Sequence, residues 1–513
     1  MNWNLGYVTE IDYVHNYTRE LCPNMLRLAC ISAGVAPPSN KPITYLELGY
    51  GQGLSINIHA AASDGTFWGT DFNPSQAAHA RVLAQASGAS AALLDDSFAE
   101  LAARPDLPEF DIIALHGIWT WISEENGRII IDLVRRKLRV GGLLYISYNC
   151  LPGWASALPL RHLIKLHADL AGGGATGLLD RLEEALGFAK QVSDSGALYF
   201  QSNPAVVERL SKISEMPKNY VAHEYLNDEW RVMPFSAVAK ILAEAKLSFV
   251  CTAHLIDQVD VFTLTPEAQK LLAGVNDPIL NQTLRDYFVN QQFRRDIFIK
   301  GPRPLTQLEQ IELLRAESFV LLTPAEDIPG KVTSSLGEVT LPENFHRAIV
   351  EVLAEDACAP KTLQQLASHA KLKSLPFSQI VQALIVLSGA GFAHPAQSAS
   401  DQTRAQCRAL NEHLCTRARS SSDIAFLASP VSGGAVSISR FYQLFLLGMQ
   451  QHNLKTEADL AAFVWAILSA QGQRLIKDGK TIENADANRA ELTSAAQLFL
   501  RRLLPVLKAL EVA

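Results

Sequence analysis

The run TYLELGYGQGLSINIHAAASDGTFWGTDFN, residues 44–73, leaves the chain few ways to fold. An apolar stretch, Tyr45 to Leu48, leads into the turn Glu47-x-Gly49-x-Gly51-x-Gly53. A helical pattern follows, then a second apolar stretch that stops at Asp71. Two strands joined by a helix make a right-handed crossover and therefore a parallel sheet. Glycines in the turn can take positive φ and let a ligand approach the backbone. Asp71 lies 22 residues beyond Gly49, where dinucleotide folds place a carboxylate on the ribose hydroxyls. The segment is expected to bind a cofactor that carries adenosine.

Spacing narrows the choice of cofactor. The dinucleotide fingerprint G-x-G-x-x-G brings a helix N-terminus against a pyrophosphate. Here the third glycine comes one residue early, at 53, and Leu54 stands where that fingerprint has glycine. Glu47 also sits at the turn. S-adenosylmethionine (SAM) carries no phosphate but has an ammonium that an acid would suit. E-x-G-x-G-x-G with a downstream acid resembles motif I of class I SAM-dependent methyltransferases. Glu47, Gly49, Gly51, Gly53, Asp71 and the adjacent Phe72 are the expected SAM contacts.

The rest of the chain divides by its periodicities. Strand and helix signals alternate from 44 to 150, with strands at Tyr45–Leu48, Phe67–Thr70, Ala91–Leu94, Asp111–Leu115 and Gly142–Tyr148. This predicts a doubly wound, Rossmann-like α/β sheet with the ligand at its carboxyl edge. Residues 155–215 read as a helical insertion with a flexible Gly172-Gly173-Gly174 joint. A helix over PFSAVAKILAEAK and a hairpin, Leu247–Leu255 with Val259–Leu264, would end a methyltransferase core at about 265. Residues 266–330, including NQQFRRDIFIKG, read as a helical connection. Residues 331–398 read as a winged-helix-like module and 399–513 as a helical domain interrupted by SPVSGGAVS.

Composition excludes some classes. Net charge is −7 and the isoelectric point about 6.0, without the basic stripe of a general nucleic-acid binder. The would-be recognition helix PFSQIVQALIVLSGAGF has no Lys or Arg to meet phosphates, so a SAM-binding regulator that reads DNA is disfavoured. Seven scattered cysteines without a C-x-x-C pair predict reduced thiols and no metal site. No stretch approaches the ~18 apolar residues of a membrane helix. A cytoplasmic protein without membrane insertion is expected. The sequence leaves the oligomeric state open, a homodimer being one option.

Strand ends supply the other candidates. Asp96, Ser97 and Phe98 follow the third strand, where a methyltransferase meets adenine: Asp96 or Ser97 on the amine, Phe98 over the ring. Asp or Ser there also fits a helix cap. After the fourth strand, LHGIWTWI offers His116, Trp119 and Trp121 to line the transfer site, because aromatic faces attract the sulfonium and an acceptor ammonium. Tyr148 and Asn149 end the fifth strand. Tyr7, Tyr13, His15 and Tyr17 precede the first strand as a prospective lid, with Tyr17 also expected at the cofactor.

Several segments together carry a closer resemblance: YVTEIDYVHNYTRELCP, LELGYGQGLS, GTDFNP, FAELAARPDLPEFDIIALHGIWTWIS, YISYNCLPGW and FRRDIFIKG. They resemble bacterial class I methyltransferases that carry a methyltransferase regulatory domain, a group that includes protein-lysine methyltransferases of outer-membrane proteins. The resemblance implies SAM as cofactor, a C-terminal winged-helix domain and a protein substrate with an exposed lysine. A small-molecule N- or O-methyltransferase is the alternative. Tyr50 departs from the family, where a smaller residue, often Cys, is common. A lysine nucleophile must lose a proton, at about 4 kcal/mol near neutral pH. Desolvation beside Trp119, Trp121 and Tyr148 would lower that cost. Residues 331–513 are expected to select the protein substrate from beside the mouth of the site.

Overall fold

Strand pairing in the computed structural model gives one seven-stranded sheet in the order β3-β2-β1-β4-β5-β7-β6. The structure describes residues 7–11, 13–38, 42–170 and 177–513, the side chains of 343–345 excepted. The Gly172-Gly173-Gly174 joint lies outside the described residues. After α1 (Pro23–Ser32), the chain alternates β1 (Ile43–Leu48), α2 (Leu54–Ala62), β2 (Gly65–Thr70), α3 (Pro74–Ser87), β3 (Ala91–Leu94), α4 (Phe98–Ala103), β4 (Phe110–Leu115), α5 (Glu124–Lys137) and β5 (Leu138–Asn149). All five strands are parallel.

Local chemistry sets the helix ends. Asn73 accepts from Ser75 N ahead of Pro74, and Gly88 closes α3 in the left-handed region. Ser123 caps α5, whose first turn holds Glu124 and Glu125 and whose last turn holds Arg135, Arg136 and Lys137, matching the helix dipole.

The helical insertion is present and longer than expected: α6 (Leu158–Leu170), α7 (Leu178–Asp194), α8 (Leu198–Ser202), α9 (Pro204–Glu215) and α10 (Lys218–Leu226). Next come α11 (Phe235–Ala243) and β6 (Leu247–Thr252). The expected second hairpin strand is instead a short helix, α12 (Asp260–Thr263). Two helices follow, α13 (Pro266–Ala273) and α14 (Pro278–Val289), before β7 (Phe293–Lys300). FRRDIFIK is thus a strand, not a helix. It lies antiparallel between β5 and β6, so the sheet ends at residue 300 rather than 265.

Its charges disguised it. Arg294 and Asp296 are buried and bonded to each other at 2.8 Å, and Arg294 also pairs with Asp286 of α14.

The C-terminal half starts with α15 (Gln307–Ala316) and β8 (Ser318–Leu321). A hairpin of β9 (Lys331–Ser334) and β10 (Gly337–Thr340) precedes α16 (Glu343–Cys358), β11 (Lys361–Thr362), α17 (Leu363–Ser368), α18 (Phe377–Ala390) and β12 (Ala393–Ala396). β8 is the centre of a three-stranded antiparallel sheet, β11-β8-β12, so this module begins before the expected boundary at 331. α19 (Asp401–Arg417), the hairpin β13 (Phe426–Ser429) and β14 (Gly434–Ser437), and further helices between 440 and 509 complete the chain. The hairpin falls where SPVSGGAVS breaks the helical pattern.

One face of the main sheet packs on α4, α5 and α11. The other packs on α1, α2 and α3, and the C-terminal half lies over these helices. Every residue of α2 is buried. Ile56 and Ala60 join the sheet core, while Leu54, Ile58 and Ala61 join the core of α19 and the β13–β14 hairpin. Cys407 of α19 lies 3.4 Å from Ala61 O, and Gln397 Nε2 donates to Ala62 O at 2.7 Å. Among the described residues, no helix is long and apolar enough to cross a membrane.

Candidate functional site

The carboxyl edge of the sheet opens on a cavity of about 860 Å³. Its floor is the glycine turn. Gly49 has φ +72°, and a Cβ there would stand 2.3 Å from Ile118 Cδ1. Gly53 has φ +73°, and a Cβ there would stand 2.4 Å from Ala80 Cβ, so only glycine lets α3 close on α2.

Asp71 fastens this turn. Its Oδ2 accepts from Gly51 N at 2.9 Å and its Oδ1 from Asn73 N at 3.1 Å. Gln76, with its amide nitrogen turned inward, donates to the same carboxylate. Burial pushes Asp71 up to about 7, against the pull of the two amides. Burial also raises Glu47 to about 8, although the Tyr45 hydroxyl donates to it at 3.3 Å. Both acids line the cavity. Two desolvated carboxylates facing one space await a ligand rich in donors or positive charge.

The expected adenine residues Asp96, Ser97 and Phe98 all line the cavity, as does Phe72. Ser97 caps α4 in a reciprocal box with Glu100, and Arg104 holds Asp96 at 3.1 Å. Phe72 stands 5.3 Å from the ring of Tyr7, which brings the N-terminal segment over the site. Tyr50 does not cross the turn. Its hydroxyl donates to Leu94 O at 2.6 Å and its ring lies along Gly69.

His116 and Trp121 also line the cavity. The Tyr145 hydroxyl lies 2.8 Å from His116 Nδ1 and the Ser147 hydroxyl 3.1 Å. Burial drops this imidazole to about 4, so it is neutral at pH 7 and a weak proton acceptor. Trp121 Nε1 is buried without a partner among the described residues.

Three expected site residues lie elsewhere. Trp119 is 1% exposed and packs in the core with α5, because the single 3-10 turn Trp119–Trp121 sends its two indoles to opposite sides. Tyr148 points to the α5–α11 face by strand alternation and donates to Asp296 at 2.8 Å. Tyr17 turns away into the C-terminal core, 5.5 Å from the rings of His59 and Phe426, while its neighbours Asn16 and Thr18 line the cavity.

A second lobe escaped the sequence. It is walled by the insertion, through Arg209, Tyr220 and Glu224, and by Tyr13, Asn149 and Trp154. Helix α10 is buried at six consecutive residues, Val221 to Leu226, including His223 and Glu224. A helix buried all round shows no polar stripe, so nothing in KNYVAHEYL marks its charged residues as inward-facing. Arg295 near the start of β7 also lines the cavity, and among the described residues none beyond it does. The described residues of the C-terminal half therefore stand outside the lining, and residues of the insertion form part of it. Among the described residues no cluster of three or more His, Cys, Asp or Glu could hold a metal ion.

Residues 217–300, from α10 through β7, match the family described as a predicted methyltransferase regulatory domain. The uncharacterized protein sll1526 of Synechocystis is 40% identical over the full length of both chains. The chain belongs to one family with sll1526, carries the match to the methyltransferase regulatory domain and has the class I SAM methyltransferase fold. Among solved structures, PKMT2 from Rickettsia typhi superposes with a TM-score of 0.70 at 17% identity, covering 98% of this chain and 100% of PKMT2. The structure of PKMT2 in complex with AdoHcy gives 0.69 at 18% identity, covering 95% and 99%. At such identity the likeness is one of fold. The matched region supplies the last two strand pairings of the sheet, β5 with β7 and β7 with β6, together with α10, so it is part of the sheet domain rather than an appendage.

Proposed function

We propose that this methyltransferase moves the methyl group of SAM to the side-chain nitrogen of a lysine in a protein. The observation that carries this reading is one cavity with two chemistries. The glycine floor with its two acids is continuous with an aromatic, acid-bearing lobe from the insertion. The resemblance to PKMT2, a protein lysine methyltransferase, supports the same acceptor.

SAM supplies an activated methyl on a sulfonium. Glu47 fits its ammonium, Asp71 its ribose hydroxyls, and Asp96, Ser97 and Phe98 its adenine. Tyr7 to Thr9 and Tyr13 to Thr18 cover the floor, with Thr18 N donating to Ser55 Oγ at 3.1 Å, and exclude water. Trp121 and Tyr13, 6.5 Å apart and edge-on, offer faces to a cationic acceptor. With the leaving group already activated, positioning is the main task left to the protein.

Transfer of labelled methyl from SAM into a bacterial lysate tests the reading. Label should appear in protein and, after complete hydrolysis, in methylated lysine. Label confined to small molecules, or to other residues, would count against it.

Cofactor binding should also depend on pH. Without ligand Glu47 is largely protonated below about 8. A cationic ligand favours its charged form, so binding must expel a proton. SAM affinity should weaken by up to about tenfold per pH unit as pH falls below that value. Glu47→Gln should flatten the dependence in calorimetry. An equally steep dependence in the variant would place the titrating group elsewhere.

A further inference from the structure

The second lobe holds a carboxylate for which the cofactor has no use. Glu224 of α10 is 8% exposed and lines the cavity. Asn149 Nδ2 donates to its Oε1 at 2.8 Å. Asn149 is the last residue of β5, so the carboxylate stands at the edge of the sheet where His116 and the glycine turn also open. Tyr13 and Tyr220 both sense its charge. The Tyr13 ring stands edge-on to Trp121 and, at 5.1 Å, to His223. Two arginines act on Glu224 through charge, and each is held by other partners. Arg161 donates to Asn227 O and lies 4.5 Å over Trp230. Arg209 donates to the Tyr225 hydroxyl at 3.1 Å and lies 3.7 Å over Trp154.

A buried acid among aromatic walls suits a compact cation on an apolar stem, which describes a lysine side chain. We propose that Glu224 anchors the acceptor ammonium and takes one proton from it before methyl transfer. The step breaks one N–H bond, forms one O–H bond on the carboxylate, and leaves the electron pair on nitrogen as the nucleophile. It rests on the lysine reading above. Burial raises Glu224, partly offset by the Asn149 bond and the arginine charges, which brings the carboxylate toward the range useful to a base at neutral pH. Glu47 and Asp71 belong to the cofactor floor, and two further titratable groups of the lining serve less well. His116 is held near 4, and Tyr220 is pushed up to about 12 by burial, with Glu224 adding to the rise.

The test uses the full chain loaded with S-adenosylhomocysteine (SAH), and n-butylamine as the lysine side chain. Glu224→Gln should hold SAH within about twofold of wild type in calorimetry and lose about tenfold or more in n-butylammonium affinity. With SAM in place of SAH as the methyl donor, transfer to n-butylamine near neutral pH should fall at least about a hundredfold. It should recover toward pH 10, where the free amine loses its own proton at about 10.4. A merely structural role would not give that recovery. Glu224→Asp should keep part of both activities. Wild-type n-butylammonium affinity should fall as the carboxylate protonates, a measurement that needs no variant. The proposal is overturned if Glu224→Gln binds n-butylammonium and transfers methyl with the wild-type pH profile. It is equally overturned if SAH-loaded wild type ignores n-butylammonium or binds it without pH dependence. Failure of wild type to bind SAH would instead remove the cofactor reading, and this inference with it.

Discussion

Arg294→Leu is expected to lower stability by about 3–5 kcal/mol in a urea melt. Arg294 is 5% exposed and bridges Asp286 and Asp296, donates to Gln282 at 3.1 Å, and lies 4.3 Å over the Phe235 ring. Leucine keeps much of the volume but strands two buried carboxylates beside the Tyr148 hydroxyl. Burial already holds Asp286 near 6 with the guanidinium opposing it, and without that charge the aspartate rises further. A carboxylate whose folded pKa is raised is tolerated while protonated and loses stability as pH climbs through that value. The deficit should therefore be smaller at pH 5 than at pH 8. A deficit that is the same at both would mean lost packing, not stranded charge, and replacing all three ionic residues by apolar ones should recover much of it.

Asp71→Ala should weaken SAH binding by about 1.5–3 kcal/mol, roughly ten- to a hundredfold in Kd. The carboxylate does two jobs. It ties Gly51 N and Asn73 N, holding the turn in shape, and it faces the cavity. Asp71→Asn keeps an oxygen acceptor but no charge and should fall between the two. Calorimetry on protein with unchanged circular dichroism measures this. Wild-type affinity in Asp71→Ala would remove the acid from the site and leave the glycines with a purely structural purpose.

The first half of the sheet was legible because its signals are local. Apolar runs, three glycines at fixed spacing and an acid in register need no partner from elsewhere in the chain. β7 was illegible for the opposite reason. Arg294 and Asp296 read as solvent-facing charges until α14 supplies Asp286 from a different element. The same holds for Glu224, whose helix gives no hint of which side faces ligand. Trp119 and Trp121 differ only in the rotation of one tight turn, and Tyr17 differs from Tyr13 only in which way an extended segment faces. Spacing along the chain does not encode either choice. The lost hairpin at 259–264 followed from a short apolar run, VFTL, which periodicity cannot assign to strand or helix.

Helix α2 begins at the glycine turn and gives its residues to two cores at once. Its end nearest the cofactor floor and its face toward α19 are the same rigid body. A ligand that binds only the folded turn lowers the free energy of that body, and so opposes opening on either side by the same amount. Melting should then be a single cooperative event, with no seam at which the C-terminal half comes loose first. The C-terminal half, which lends no atom to the cavity lining, would nevertheless register whether the cavity is filled.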